Sequence, residues 1–243
     1  MPSDSKPVPS VWVRPRRQRE QPVLSREHIV AEAVRLLDEE GLEALSMRRL
    51  GQRLGAGATS LYRHVASKDE LIELVVDEVY GEMRVPDADG PAGWRSATTE
   101  CAHSLRAMIL RHPWIAAVLG QVGLASLGPN LVRQSSRMIA LFEAAGFAPG
   151  EANRAMDTLI AYVIGMGTSE AAYLSLLARS GLSEREWLES LRPAAEAAVS
   201  DHPRIRDGFS PPEGDPAKVR EENFGYGLDR VLDGLAVRLA ATG

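Results

Sequence analysis

Five cationic side chains fall within one short stretch that contains no acidic residue. Between residues 44 and 68 the charged positions are Arg48, Arg49, Arg53, Arg63 and Lys68. Thr59, Ser60 and Tyr62 lie among them and offer hydroxyl groups that donate and accept hydrogen bonds. A short polar helix flanked by cations suits a DNA groove, because cations bind phosphates while polar side chains reach base edges. The alternative interpretation is a solvated basic face that binds nothing.

Two short helices and a glycine turn are predicted to position these side chains. Ser46 is a suitable N-cap for a helix over 47–54, because its hydroxyl accepts an otherwise unpaired backbone N–H. The run Gly55-Ala56-Gly57 then ends this helix, since glycine reaches left-handed conformations. A second helix is predicted over 58–65, with apolar residues four apart on one face. The order of elements is that of a helix-turn-helix.

Helices on both sides complete this unit. A helix is predicted over 26–40, with Ser25 as N-cap and a glycine after its last residue. Its apolar stripe consists of Ile29, Ala33, Leu36 and Leu37. Ser67 and Glu70 form a capping box that opens a fourth helix, predicted over 68–84.

The remaining chain predicts only helices and loops. No segment alternates polar and apolar residues as a strand does, so the predicted fold class is all-α. The run 159–167 is apolar nearly all round and is predicted to be buried on all sides, its two glycines favouring close helix packing. Residues 202–216 are rich in Pro and Gly and predict a loop. Further helices are predicted over 94–110, 113–124 (with Pro113 at its first position), 130–145, 151–180, 183–199 and 217–241.

Composition divides the chain into an arm and two domains. Residues 1–22 hold several prolines and arginines and predict a flexible arm, either a tail without a role or an arm that contacts DNA phosphates or a minor groove. A DNA-binding domain is predicted over 23–84, including the connecting helix 68–84. The Pro- and Gly-rich stretch after it opens a larger domain over 85–243.

The overall composition excludes several classes of protein. The net charge is −5, with 44% hydrophobic and 25% charged residues, which argues against non-specific coating of nucleic acid. Cys101 is the single cysteine, so no disulfide or Cys-based zinc site forms within one chain. No apolar run reaches 18 residues and no signal core opens the chain, which predicts a cytoplasmic location and no membrane.

No catalytic constellation stands out either. The sequence has no G-x-S-x-G, phosphate-binding loop or dinucleotide-binding motif, and its histidines are scattered. We therefore expect no enzyme, no cofactor and no metal. Two classes remain: a ligand-responsive DNA-binding repressor, and an α-helical small-molecule binding or interaction protein without operator-specific DNA binding.

The run EEGLEALSMRRLGQRLGAGATSLYRHVASKDELIELV resembles the N-terminal domain of the TetR family of transcriptional repressors. The stretches RHPWIAAVLG, LGPN and ENFGYGLDRVLDGL resemble the ligand-binding and dimerisation domain of its tetracycline-repressor-like branch. The resemblance implies a three-helix helix-turn-helix DNA-binding domain joined to a larger helical ligand-binding and dimerisation domain. It also implies a homodimer on a palindromic double-stranded operator, released by a small-molecule effector. The residues in register with the N-terminal pattern are Leu45, Ser46, Arg49, Leu50, Leu54, Gly55, Ser60, Leu61, Tyr62, His64, Val65, Lys68 and Leu71.

The same resemblance implies roles for individual residues at the DNA. Arg48, Ala58, Thr59 and Ser60 match positions at base edges, and the fork of Arg48 fits the O6 and N7 atoms of guanine. Ala58 departs from the polar residue often found there, although it can touch a thymine methyl group. The matching phosphate contacts are Ser46, Tyr62, His64 and Lys68. For Tyr62 and His64 the alternative is packing against the first helix.

The implied ligand pocket lies among the helices of the second domain. In the tetracycline-binding branch a histidine near this His-Pro-Trp step helps to hold a drug–metal chelate. No second histidine or acidic partner is evident here, so a metal is not predicted. The alternative for every candidate is a place in the ordinary core. The candidates are Met108, His112, Trp114, Leu119, Met138, Phe142, Met156, Tyr162, Met166 and Trp187.

Overall fold

The computed structural model describes residues 24–88, 90, 93–122, 128–202, 204–205 and 214–242, and within these ranges the chain is all-α. The predicted arm, most of the predicted loop 202–216 and the Leu119 side chain lie outside the described residues. A 3₁₀ turn, Leu42–Ala44, separates the first two helices. The helices are α1 (Arg26–Glu40), α2 (Met47–Arg53), α3 (Ala58–Leu61), α4 (Lys68–Tyr80), α5 (Gly93–Arg111), α6 (Ile115–Val122), α7 (Pro129–Ala144), α8 (Pro149–Ser180), α9 (Glu184–Val199) and α10 (Pro216–Thr242).

The first three helices form a small unit around one apolar core. The predicted stripe of α1 is buried, with Ile29 and Leu36 fully inaccessible to solvent. Leu50 of α2 and Leu61 of α3 are equally inaccessible and belong to the same core. Helix α4 packs on α1 as well, so it leads out of this unit as a rigid extension.

Serine caps fix where most of these helices begin. The hydroxyl oxygens of Ser25, Ser46 and Ser67 each accept a hydrogen bond from the first turn of the helix that follows. The capping box predicted at Ser67 differs in its second half. The Glu70 carboxylate accepts from the backbone N–H of Ala66, the residue before the N-cap, at 2.5 Å. The same motif at the start of α9 is a complete capping box.

Several predicted boundaries are wrong, and three of them have a clear local cause. Helix α3 stops at Leu61 and continues as turns, so it is shorter than predicted. Helix α4 ends at Tyr80 because the chain turns at Gly81, where a Cβ would lie 2.9 Å from the Glu78 carbonyl oxygen. Pro113 sits in a turn before α6 and not inside it, since the Ile115 N–H bonds back to the His112 carbonyl.

Helix α8 is the central helix of the second domain and packs against α5, α7 and α10. Its run 159–167 is not buried on all sides, as the sequence predicted: Leu159 and Val163 are buried, whereas Ala161 and Gly165 are exposed. Close packing is confirmed at Gly167, where a Cβ would lie 3.1 Å from the Ile109 side chain of α5. The prediction is wrong at Gly165, where a Cβ would meet nothing within 4 Å. By length and composition alone α8 is apolar enough to cross a membrane, a test that core helices of water-soluble proteins also pass.

Helix α7 is held to the end of α4 by three hydrogen bonds. The Asp77 carboxylate accepts from the Leu131 N–H at 2.9 Å, and the Asn130 side chain donates to the Asp77 carbonyl at 3.1 Å. The buried Gln134 side chain donates to the Met83 carbonyl at 2.9 Å. These bonds link the helix leaving the N-terminal unit directly to the second domain.

Candidate functional site

The turn between α2 and α3 is tight, and glycine makes it possible. The Ala56 N–H bonds to the Gly51 carbonyl at 2.8 Å. A Cβ on Gly51 would lie 2.8 Å from the Ala56 carbonyl oxygen, which is closer than real contacts allow. Gly55 adopts the predicted left-handed conformation, with φ of +63°. The sequence predicts a need for glycine at Gly55 but not at Gly51. Glycine is needed at Gly51 because the backbone of Ala56 packs closely against it.

Helix α3 presents a polar surface to solvent. Thr59 and Ser60 are exposed, and Tyr62 just after the helix is 52% exposed. Ala58, at the start of the helix, is half-buried. Leu61 anchors the opposite side in the core, so the hydroxyl-bearing residues are fixed in place and face outward.

The five cations of this stretch fall into two groups. Arg49 forms a bidentate pair with Glu40 of α1, at 2.7–3.1 Å. Arg53 binds Glu32 and Glu39 of the same helix, both at 2.6 Å. In contrast, the side chains of the remaining three are exposed and make no hydrogen bond or ion pair with any described residue; they are Arg48, Arg63 and Lys68.

This pairing changes the electrostatics expected from the sequence. The hydrogen bonds that Arg53 donates to Glu39 and Glu32 raise the pKa of its guanidinium above the usual value. The Arg53 hydrogen bond in turn lowers the pKa of the Glu39 carboxyl. Two of the five cations therefore hold α2 against α1, and three remain available for an anionic partner.

The other predicted DNA contacts are accessible to different extents. The Ser46 hydroxyl accepts from the Arg49 N–H at 3.2 Å, and the residue is otherwise exposed. Lys68 occupies the first position of α4, where the helix dipole favours an anion nearby. His64 is half-buried, and its carbonyl lies 3.5 Å from the Arg26 Nε. Their roles at DNA remain predictions.

Most predicted ligand residues lie in the core. Those with less than one tenth of their surface exposed are Met108, His112, Trp114, Met138, Phe142 and Met156, while Tyr162, Met166 and Trp187 are half-buried. Phe142 packs in an aromatic cluster with Trp94 and Phe147. The Tyr162 hydroxyl donates to the Phe224 carbonyl at 2.6 Å, which ties α8 to α10. Binding of a ligand by these residues remains a prediction.

His112 is engaged by two carboxylates. Its Nδ1 lies 2.7 Å from Asp38 Oδ1, and its Nε2 lies 3.2 Å from Glu82. The Trp114 indole N–H donates to the same Asp38 oxygen at 2.7 Å. Sequence reasoning identified His112 and Trp114 but not Asp38, because 74 residues separate Asp38 from His112 and no local pattern joins them.

A second charge cluster, centred on the buried Arg106, joins four helices of the larger domain. Arg106 of α5 is 7% exposed and binds Glu170 of α8 at 2.7 and 3.0 Å. It also pairs with Glu221 of α10 and lies over the Phe224 ring at 4.6 Å. Arg220 extends the cluster to Glu184 at the start of α9. Within the described ranges, no group of three or more His, Cys, Asp or Glu residues is arranged to hold a metal ion.

Comparison with known proteins yields family matches over both parts of the chain. Residues 29–75 match the model of the bacterial regulatory proteins of the tetR family, and residues 85–239 match the tetracyclin repressor-like C-terminal domain. A transcriptional regulator of the helix-turn-helix type from Saccharopolyspora erythraea is 36% identical over 231 residues, covering 93% of this chain and 91% of that protein. The repressor DrrR1 of Streptomyces coeruleorubidus is 33% identical, covering 90% and 80%. The crystal structure of the Streptomyces coelicolor protein ActR in complex with actinorhodin superposes with a TM-score of 0.73 at 29% identity, covering 88% and 96%.

Proposed function

Because the chain belongs to the TetR family of bacterial transcriptional regulators, we propose that it is a homodimeric repressor that binds a palindromic operator and is released by a small-molecule effector. It acts by binding and not by catalysis, and it works in the cytoplasm with its DNA. The observation that carries the proposal is the exposed polar surface of α3 beside three cations without a partner in the described chain.

At the DNA, α3 enters the major groove and Arg48 approaches from the start of α2. The guanidinium of Arg48 has two parallel donors for one guanine, whereas Thr59 and Ser60 offer hydroxyl groups to neighbouring bases. Lys68, Tyr62, Ser46 and the half-buried His64 contact phosphates and set the register. Ala58 contributes at most an apolar contact with a thymine methyl.

The dimer forms through the outer faces of α8 and α10. Ala161 and Gly165 leave the outer side of α8 without bulky side chains, and a Cβ on Gly165 would meet nothing within 4 Å. Among the described large apolar residues, Tyr226 and Val237 of α10 are the most exposed, each at 68%. Small residues on one helix and large ones on the other support close packing about a two-fold axis.

The effector is a small apolar or amphipathic molecule bound in the larger domain. ActR, a relative by structure, was crystallised with actinorhodin. The methionine and aromatic residues predicted as lining, among them Met108, Met138 and Met166, suit an adaptable apolar pocket. Release requires that the effector bind the DNA-free conformation better than the DNA-bound one.

Fluorescence anisotropy tests the DNA contacts. The probe is a duplex taken from the DNA flanking the protein's own gene, compared with a shuffled duplex of the same length. The wild type is expected to prefer the flanking duplex, and Arg48→Ala to lose about 1–3 kcal/mol of that preference per guanine contact. Lys68→Ala is expected to weaken both duplexes alike and to reduce the salt dependence of binding, because it removes a phosphate contact.

The control is Arg192→Ala, which removes an exposed cation on α9 whose side chain makes no hydrogen bond or ion pair with a described residue. It should leave affinity and preference at wild-type values. An unchanged preference in Arg48→Ala would refute its role at a base edge. A light-scattering mass of 26.4 kDa, that of one chain, at micromolar concentration would refute the dimer.

A further inference from the structure

One carboxylate joins the first helix of the helix-turn-helix unit to the larger domain. Asp38 lies in the last turn of α1, and its Oδ1 receives the Trp114 indole N–H at 2.7 Å and faces His112 Nδ1 at the same distance. Within the described ranges, every hydrogen bond or ion pair from residues 24–67 to residues beyond 85 ends on this carboxylate.

The partners of Asp38 belong to the step that joins two helices of the larger domain. His112 directly follows α5 and Trp114 directly precedes α6, and they are only 3% and 5% exposed. The other ring nitrogen of His112 faces Glu82, which also pairs with Arg111. Since Glu82 lies two residues beyond α4, the imidazole bridges α1 and the end of the connecting helix.

On the other side, Asp38 is rigidly coupled to the DNA-binding surface. The next two residues, Glu39 and Glu40, bind Arg53 and Arg49 of α2. The apolar side of α1 shares its core with Leu61 of α3. A displacement of the end of α1 is therefore passed to α2 and α3 as a rigid-body movement.

The hydrogen bonds between Asp77 and α7 hold the connecting helix to the larger domain but do not involve α1. Apolar contacts alone would set the angle of α1 only loosely, because they have little directional preference. Two hydrogen-bonding groups that converge on one carboxylate oxygen define both a distance and a direction. We propose that Asp38 is the positioning residue that couples the α5–α6 step to the DNA-binding surface, so that operator binding and the conformation of this step depend on each other. This inference rests on the proposed function, and coupling between sites is reciprocal, so DNA alone must alter the step.

The indole N–H of Trp114 reports on this coupling directly. The chain contains four tryptophans, so a ¹⁵N-labelled sample gives at most four indole signals, and Trp114→Phe identifies the relevant one. In the wild type, adding the flanking duplex is expected to shift the Trp114 signal. In Asp38→Ala the signal should already be displaced without DNA, and the DNA-induced shift should be lost although the duplex still binds.

The matched control is Glu43→Ala, which removes an exposed acid of the same unit whose side chain makes no hydrogen bond or ion pair with a described residue. It reproduces the change in charge near DNA and should keep the DNA-induced shift. Asp38→Asn, which keeps an acceptor oxygen in place, should restore at least part of the shift, a result that a purely structural role would not produce. If Asp38→Ala fails to fold, Asp38→Ser carries the same expectation, because its hydroxyl is too short to reach both donors.

The outcomes separate the two proposals. A DNA-induced shift that persists in Asp38→Ala overturns the inference. The inference is also overturned if the wild-type Trp114 signal does not shift although anisotropy shows that the duplex binds. If the wild type binds no duplex, the proposed function fails, and the inference that rests on it fails with it. The inference is supported if the DNA-induced shift is lost in Asp38→Ala and retained in Glu43→Ala.

Discussion

Replacing Asp77 should loosen helix α7 from α4 by a predictable amount. The Asp77 carboxylate accepts from the Leu131 N–H and thereby caps α7 from another helix. Loss of an N-cap costs about 0.5–2 kcal/mol, and loss of a negative charge at a helix N-terminus costs about 0.3–1 kcal/mol. Asp77→Ala should therefore lower the free energy of unfolding by about 1–3 kcal/mol. For a chain of this size each kcal/mol corresponds to about 2–4 °C in Tm.

Two further variants separate the hydrogen bond from the charge. Asp77→Asn keeps an acceptor oxygen and should lose only the smaller, charge-dependent part. Glu78→Ala removes the neighbouring exposed acid, whose side chain makes no hydrogen bond or ion pair with a described residue, and its free energy of unfolding should remain at the wild-type value. Urea unfolding followed by circular dichroism at one fixed protein concentration measures all three. If Asp77→Ala stays within about 0.5 kcal/mol of the wild type, or loses no more than Asp77→Asn, the assigned cap is wrong.

Three other predictions concern the turn, an ion pair and the cysteine. Gly51→Ala should lower the free energy of unfolding by about 1–3 kcal/mol and weaken DNA binding, because its Cβ would lie 2.8 Å from the Ala56 carbonyl oxygen. Gly57→Ala, with open space around it, is the control. Equal stability of the two variants would contradict the packing argument. Because the pKa of Glu39 is lowered from 4.5 by Arg53, the pair stabilises the fold above about pH 4.5 and this contribution is lost as the pH falls through the lower folded pKa. Glu39→Gln should thus have a Tm below that of the wild type at pH 7 and a smaller gap at pH 3. Burial and the nearby Glu100 raise the pKa of Cys101 to about 12, so iodoacetamide at pH 8 should label it slowly in the native protein and rapidly in urea.

The elements that sequence predicted well depend on local signals. The apolar stripe and Ser25 define α1 within the chain segment itself, and the predicted bounds 26–40 are those observed. The glycine turn at Gly55 likewise follows from a residue type that reaches positive φ. Such features require no knowledge of what packs against them.

The features that sequence missed depend on distant partners. Arg49 and Arg53 read as part of a basic surface, yet both are held by carboxylates of α1, which local charge patterns do not reveal. Asp38 and Asp77 acquire their roles only when helices more than 50 residues apart meet. The run 159–167 of α8 is predicted to be buried on all sides, but the described residues cover only one side of it. An all-round apolar pattern does not say whether the same chain or a second copy covers each face.

The pairing of cations also bears on how an acidic protein binds DNA selectively. The chain carries a net charge of −5, so long-range attraction to DNA is weak, and affinity must arise from a few local contacts. If Arg49 and Arg53 were also free, each subunit would offer two more cations to any phosphate backbone and bind non-specific DNA more tightly. By binding them to Glu40 and Glu32, α1 holds the helix-turn-helix together and removes these two charges from the DNA-facing set. If the exposed Arg48 contacts a base edge, as we propose, it then contributes a larger share of the interaction there, which is where sequence is read.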